Sequence, residues 1–163
     1  MKTILIIALT ILSFGTFAQS VTMFLYDGDS GYFITKSGKK INFRDAFCNA
    51  PEHKNGRCKK EQPFANQSTD YAKSLIDGKI CNINRLGVDI YGRTLIRIKT
   101  PQNVWFHRDM IAHGWAWSYK NQGNNKWLSY RLQMIAKQNG SGIWVDSTAI
   151  NPSEWLKIHK TVN

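Results

Sequence analysis

Apolar and polar positions alternate along five short stretches of the chain: Val21–Tyr26, Tyr32–Thr35, Lys40–Cys48, Lys79–Leu86 and Thr94–Thr100. A period of two marks a strand with one buried face, so these stretches predict five β-strands. Asp27-Gly28-Asp29-Ser30-Gly31 and Ser37-Gly38-Lys39 separate the first three as turns, which makes them a meander. Between the third and fourth strands the period changes. Phe64, Ala65, Ser68, Tyr71, Ala72, Leu75 and Ile76 form one stripe at helical spacing, and Asp77-Gly78 stops it. Further on, His107–His113 predicts a short helix with Met110 and Ile111 inward. Trp127–Asn139 predicts a third helix with Leu128, Leu132, Ile135 and Ala136 on one face, after a polar turn at Asn121–Asn125. Pro152–Lys160 is a short, weakly amphipathic tail helix. Five strands with a helix before the fourth and helices at the end describe an α+β, mainly β fold: a five-stranded OB-fold barrel with three helices besides that tail.

The N-terminus stands outside this pattern. Met1-Lys2-Thr3 is a basic head, Ile4–Phe17 is apolar, and Thr16-Phe17-Ala18 places small residues before a cut at Gln19. That is a signal-peptide layout, and about fourteen apolar residues fall short of the roughly twenty that span a bilayer. The reading is a cleaved leader at 1–18 and one domain at 19–163, secreted or periplasmic, with no membrane role after cleavage and no need for more than a monomer.

Charge narrows the partner. The chain carries 22 Lys and Arg against 11 Asp and Glu, a net +11 that becomes +10 once Lys2 leaves with the leader. So basic a single domain points to a polyanion such as nucleic acid, an acidic surface or polysaccharide, with simple solubility as the bland alternative. Three cysteines, Cys48, Cys58 and Cys81, leave at least one unpaired within the chain. A Cys48–Cys58 bridge would staple the loop between them; Cys81 reads as a buried thiol; the pairing stays open. Zinc-ligand spacing is absent.

Candidate chemistry sits in FRDAFCNAPE, Phe43–Glu52. Arg44 lies on a strand, Pro51 ends it, and Glu52 follows the break. A guanidinium fork suits phosphate oxygens, and a carboxylate can hold a water. The basic loop His53–Gln62 follows within reach of Glu52. Asp27-Gly28-Asp29, on spacing alone, reads as an ordinary hairpin turn.

Taken in order, YDGDS (Tyr26–Ser30), FRDAFCNAPE, DIYGR (Asp89–Arg93), GWAW (Gly114–Trp117) and GIW (Gly142–Trp144) resemble the staphylococcal-nuclease-like, or thermonuclease, family. The resemblance covers about Val21–Trp155. It implies an OB barrel that hydrolyses phosphodiester bonds in DNA or RNA with the help of a divalent cation, usually Ca²⁺. It implies Asp29, Asn49 and the Ala50 carbonyl as metal ligands. It implies Arg44 and Arg93 as the phosphate clamp and Glu52 as the group that activates water. Tyr91, Tyr119 and Trp117 fall where substrate contacts are expected. One departure bears on metal: Asn49 stands where the family usually has a second carboxylate, which predicts weaker binding or another preferred cation. Gln133, usually glutamate, and His107, often asparagine, read as structural. The competing expectation is an OB-fold module that binds nucleic acid without cutting it. Retention of Arg44, Glu52 and Arg93 favours the enzyme.

Overall fold

The computed structural model describes residues 19–119 and 126–161. The expected leader at 1–18 and the polar turn at 121–125 lie outside them. Five strands close into a barrel: β1 (Gln19–Leu25), β2 (Ser30–Ile34), β3 (Lys40–Asp45), β5 (Ile80–Val88) and β6 (Thr94–Lys99), in the order β1-β2-β3-β6-β5. All neighbouring pairs are antiparallel except β3 with β6, where Arg44 lies opposite Leu95 in parallel register. Two short strands, β4 (Cys48–Asn49) and β7 (Trp117–Ser118), form a separate ribbon. Four helices surround the barrel: α1 (Ala65–Ile76), α2 (Phe106–Ala112), α3 (Lys126–Gln138) and α4 (Pro152–His159). A closed, mixed five-stranded barrel with a helix leading into its fourth strand is the OB architecture that the strand pattern predicts.

The alternation translates directly into the core. Val21, Met23, Phe33, Phe43, Ile83, Ile96 and Ile98 point inward, and Ala72 and Ile76 of α1 plug one end. The expected third strand, 40–48, is broken in two. Asp45 is wholly buried, and its Oδ1 accepts the N–H groups of Phe47 (2.8 Å) and Cys48 (3.2 Å). That turn tips the chain out of the barrel and starts β4. Pro51 then follows directly after Ala50, as the fixed φ of proline requires.

One local expectation is corrected. Ala136 is buried on α3 and Leu128 and Leu132 are half-buried, as the stripe predicts, whereas Ile135 is 49 % exposed. Gln133 takes a place on the inner side: its Oε1 accepts the Ser118 N–H at 2.7 Å, a polar contact with β7. The open question of cysteine pairing resolves to three buried free thiols, Cys48, Cys58 and Cys81.

Candidate active site

Three segments meet at one end of the barrel: the β1–β2 turn, the stretch from β3 through Glu52, and the loop before β6. Gly28 lets the first two touch. A Cβ there would stand 2.6 Å from both Ala50 Cβ and Ser68 Oγ, so only glycine allows the turn to lie against Ala50. Asp27 shapes the turn. Its Oδ1 accepts the N–H groups of Asp29 and Ser30, and its Oδ2 accepts from the Ser30 hydroxyl.

Asp29, 3 % exposed, then faces the second segment. Its Oδ2 accepts the Ala50 N–H at 2.9 Å. Arg44 reaches both carboxylate oxygens, with Nη1 at 3.2 Å from Oδ1 and Nη2 at 3.0 Å from Oδ2. Arg44 Nη2 also donates to Asn49 Oδ1. The Asn49 amide nitrogen in turn donates to Ser153 Oγ at 3.3 Å, so the first turn of α4 fixes which way that amide points. One guanidinium therefore gathers the oxygens of Asp29 and Asn49.

The third segment is self-braced. Asp89 Oδ1 accepts the N–H groups of Tyr91 and Arg93, and its Oδ2 holds Arg93 through Nε and Nη2, both at 2.8 Å. Tyr91 lies between two guanidinium groups, Arg57 at 5.0 Å and Arg93 at 5.6 Å from its ring centre. Arg44 sits 5.8 Å from the Tyr119 ring centre. Arg44, Asn49, Glu52, Arg57, Asp89, Tyr91, Arg93, Tyr119, Ser153 and Leu156 all line a single cleft of about 530 Å³.

Electrostatics distinguishes the acids. Burial pushes Glu52 up to about 7; the Asp29 charge adds to this, and Arg44 opposes it. Burial likewise raises Asp29 to about 6 against the pull of Arg44. The Asp29 charge raises Arg44 further above its already high range, so it stays a cation. Asp89 differs. Burial pushes it up, but the hydrogen bonds and charge of Arg93 outweigh that and hold it below the usual carboxylate range. Glu52 is thus a carboxyl group poised near neutrality beside two fixed cations, the arrangement a general base needs.

The oxygens of Asp29, Asn49 and the Ala50 carbonyl belong to residues that touch one another, and hard oxygens of this kind suit Ca²⁺ or Mg²⁺. They carry a single formal charge between them. Among the described residues no cluster of three His, Cys, Asp or Glu side chains is placed to hold a metal ion. The donor chemistry fits a divalent cation held weakly.

Of the expected substrate-contacting rings, Tyr91 and Tyr119 are exposed at the cleft. Trp117 is corrected: it is 5 % exposed and packs edge-on against Trp144 at 4.9 Å, so its ring belongs to a second core cluster and has no face open to a base. Sequence reading missed Arg57, Ser153 and Leu156 as cleft residues. Their separation from Arg44 along the chain hides them. The only prior signal was the basic character of the loop that carries Arg57.

Comparison with known proteins gives the family. A profile described as staphylococcal nuclease homologue matches residues 42–146. An uncharacterized endonuclease of Haemophilus influenzae is 33% identical over 135 residues, covering 82% of this chain and 70% of that protein. An uncharacterized endonuclease of Escherichia coli O157:H7 is 31% identical over 129 residues, covering 79% and 78%. A probable endonuclease, LCL3, of Komagataella phaffii is 25% identical over 136 residues, covering 78% and 59%.

Proposed function

The chain belongs to the staphylococcal nuclease homologue family, and on that premise we propose that it is an exported, metal-dependent nuclease, acting as a monomer, that hydrolyses phosphodiester bonds in DNA or RNA with little sequence preference. The observation that carries the reading is the convergence of Arg44, Arg93 and Glu52 on one cleft. Export rests on the leader-like sequence of residues 1–18. Low sequence preference rests on the chemistry of the cleft, whose groups suit phosphates and aromatic stacking rather than base edges.

Each residue then has a task. A phosphodiester is anionic and repels an incoming hydroxide. Arg44 and Arg93 donate to its non-bridging oxygens and favour the transition state, which carries more negative charge there than the ground state. Asp29 and Asp89 hold the two guanidinium groups in place, so little ordering remains to be done on binding. Glu52 accepts the proton of the attacking water at its carboxylate. Tyr91 and Tyr119 flank the phosphate and offer rings to neighbouring bases. A divalent cation held by Asp29, Asn49 and the Ala50 carbonyl would supply Lewis-acid polarisation of the phosphate. Ca²⁺ is the first candidate, and the loss of charge at Asn49 widens the choice to other divalent cations.

The experiment is cleavage of plasmid and of single-stranded oligonucleotides with Ca²⁺, with Mg²⁺ or Mn²⁺, and with chelator. Arg44→Ala, Arg93→Ala and Glu52→Ala should each lower the rate about 10²–10³-fold while the barrel stays folded. Wild-type rates in all three variants would remove the assignment. A second reading, a binder that does not cut, is favoured by the Arg44 contact on the oxygens of Asp29 and Asn49. DNA shifted but uncut under every metal would establish that reading instead.

A further inference from the structure

Beyond the cleft, two cations lie over one ring and a third stands near them. Side chains two apart on a strand share a face, so Leu95, Arg97 and Lys99 continue the outer face of β6 away from Arg93 and the cleft. The Arg97 guanidinium lies 3.6 Å from the Trp105 ring centre and 5.3 Å from that of Phe47. Lys99 sits 5.2 Å from the same Trp105 centre. Arg108, on α2, is close enough that its charge depresses both Arg97 and the buried His107. Burial, Arg97 and Arg108 together hold His107 neutral, pushed down to about 3, so it adds no charge to the group.

Among the described residues none of Arg97, Lys99 and Arg108 makes an ion pair. The Nε atoms of Arg97 and Arg108 are buried with no hydrogen-bond partner. Asp45, the acid whose charge acts on Arg97, is wholly buried, and its Oδ1 accepts backbone N–H groups. One buried carboxyl faces three cations, and like charges in excess repel one another, an arrangement that an incoming anion relieves. Trp105 lies 3.6 Å from the Arg97 guanidinium carbon, and with Nε buried the terminal nitrogens are the donors left to meet an acceptor oxygen.

Position says which anion. Phe47, beside Arg97, also lines the cleft, and its carbonyl accepts the Tyr119 N–H. Along β6, Arg97 lies four residues from Arg93, about 13 Å at ~3.3 Å per residue. Phosphates of a duplex strand recur about every 3.4 Å along the axis, so this distance spans a few nucleotides.

We propose that Arg97 and Lys99, held over Trp105, and the neighbouring Arg108 form a second phosphate subsite that grips the backbone of a bound strand a few nucleotides from the bond held between Arg44 and Arg93. The subsite rests on the nuclease reading of the cleft. It makes long strands better substrates than short ones, with no role in bond breaking.

The test compares the wild type with Arg97→Gln/Arg108→Gln, and with Arg97→Lys/Arg108→Lys, which keeps the charge. Binding of a 20-nucleotide single strand is measured against salt in a Glu52→Gln background. The Gln pair should flatten the slope of log affinity on log salt by about 1.4, roughly 0.7 for each lost contact on a single strand. Affinity near 0.1 M salt should fall about tenfold or more. The Lys pair should keep most of the slope. With Glu52 restored, cleavage of a nitrophenyl nucleoside phosphodiester, too short to reach Arg97, should be unchanged. If the Gln pair fails to fold by thermal melt, Arg108→Gln alone carries the test, with half the slope change. A wild-type slope in a folded variant overturns the subsite. So does an unchanged slope with lost binding to phosphatidylserine vesicles, which would assign the patch to a membrane surface. A wild type that cuts neither substrate sinks the nuclease reading, while the slope still decides the subsite.

Discussion

On the proposed metal-dependent reading, Asn49 is the residue that sets how tightly the cation is held. Its side-chain oxygen accepts a hydrogen bond from Arg44 and its nitrogen donates one to Ser153 Oγ, so it is already oriented at the cleft without bringing charge. Asn49→Asp restores a second anion beside Asp29. It should tighten Ca²⁺ binding about tenfold or more, since ligand charge sets affinity at hard-oxygen sites and tenfold is only about 1.4 kcal/mol. Calorimetric titration of both proteins checks this, and equal dissociation constants would refute it. Asp29 itself shows what a sequence hides at this scale. As Asp-Gly-Asp it is indistinguishable from a hairpin turn; burial beside Ala50 and Arg44 makes it a site residue.

At the scale of elements, the two glycine landmarks explain each other. A Cβ on Gly142 would lie 2.5 Å from the Gly114 carbonyl oxygen, and one on Gly114 would lie 2.1 Å from the Ser141 oxygen. Both glycines have positive φ, and the Ile143 N–H donates to Gly114 O at 3.0 Å. The end of α2 and the 3-10 turn at Gly142–Val145 thus meet backbone to backbone. Gly142→Ala should cost about 2–4 kcal/mol from backbone strain and forced separation. Urea denaturation measures it, and a loss under about 0.5 kcal/mol would show that the contact yields easily. Strands were legible because a half-buried strand must alternate. On α3 the exposure of Ile135 was not, because the Gln133 contact with β7 is a long-range polar contact that an apolar stripe does not show. The tail helix was legible through its weak amphipathicity, and the structure adds its cap, the Asn151 side chain that accepts the Ser153 N–H ahead of Pro152. Its place against the cleft was not.

The whole molecule holds more buried acid than buried base, and that sets its response to pH. Burial, against the pull of Arg44, raises Asp29 to about 6; burial and the Asp29 charge raise Glu52 to about 7; burial, against backbone hydrogen bonds, raises Asp45 to about 7. Between about pH 4 and 7 the folded protein keeps protons that the unfolded chain has released. This contribution is complete below the unfolded carboxylate range and is lost as pH rises through 6–7. His107 acts oppositely. Its folded value of about 3 lies below the ordinary 6.5, so it costs stability as pH falls through that interval. Three groups outweigh one, and in chelator the protein should be more stable at pH 5 than at pH 8. Asp45→Asn should flatten that dependence and stabilise the protein at pH 8 by on the order of a few kcal/mol, since Asp45 is fully buried and its Oδ2 has no partner among the described residues. Denaturation midpoints at both pH values decide it; a slope unchanged by the substitution would place the titration elsewhere.

The sequence alone determined the five strands, the helix before the fourth, and the pairing of Arg44 with Glu52 in one motif; Asn49, Tyr91 and Arg93 came from the resemblance of contiguous motifs to the thermonuclease family. Local periodicity, turn chemistry and short motifs act over a few residues, and those signals survive in one dimension. Only the tertiary structure decided that Trp117 packs in a core, that Arg57 and Ser153 join the cleft, and that Arg97 and Lys99 lie over Trp105. Those outcomes depend on contacts between segments far apart along the chain, where closure of the barrel and docking of α4 set distance and burial.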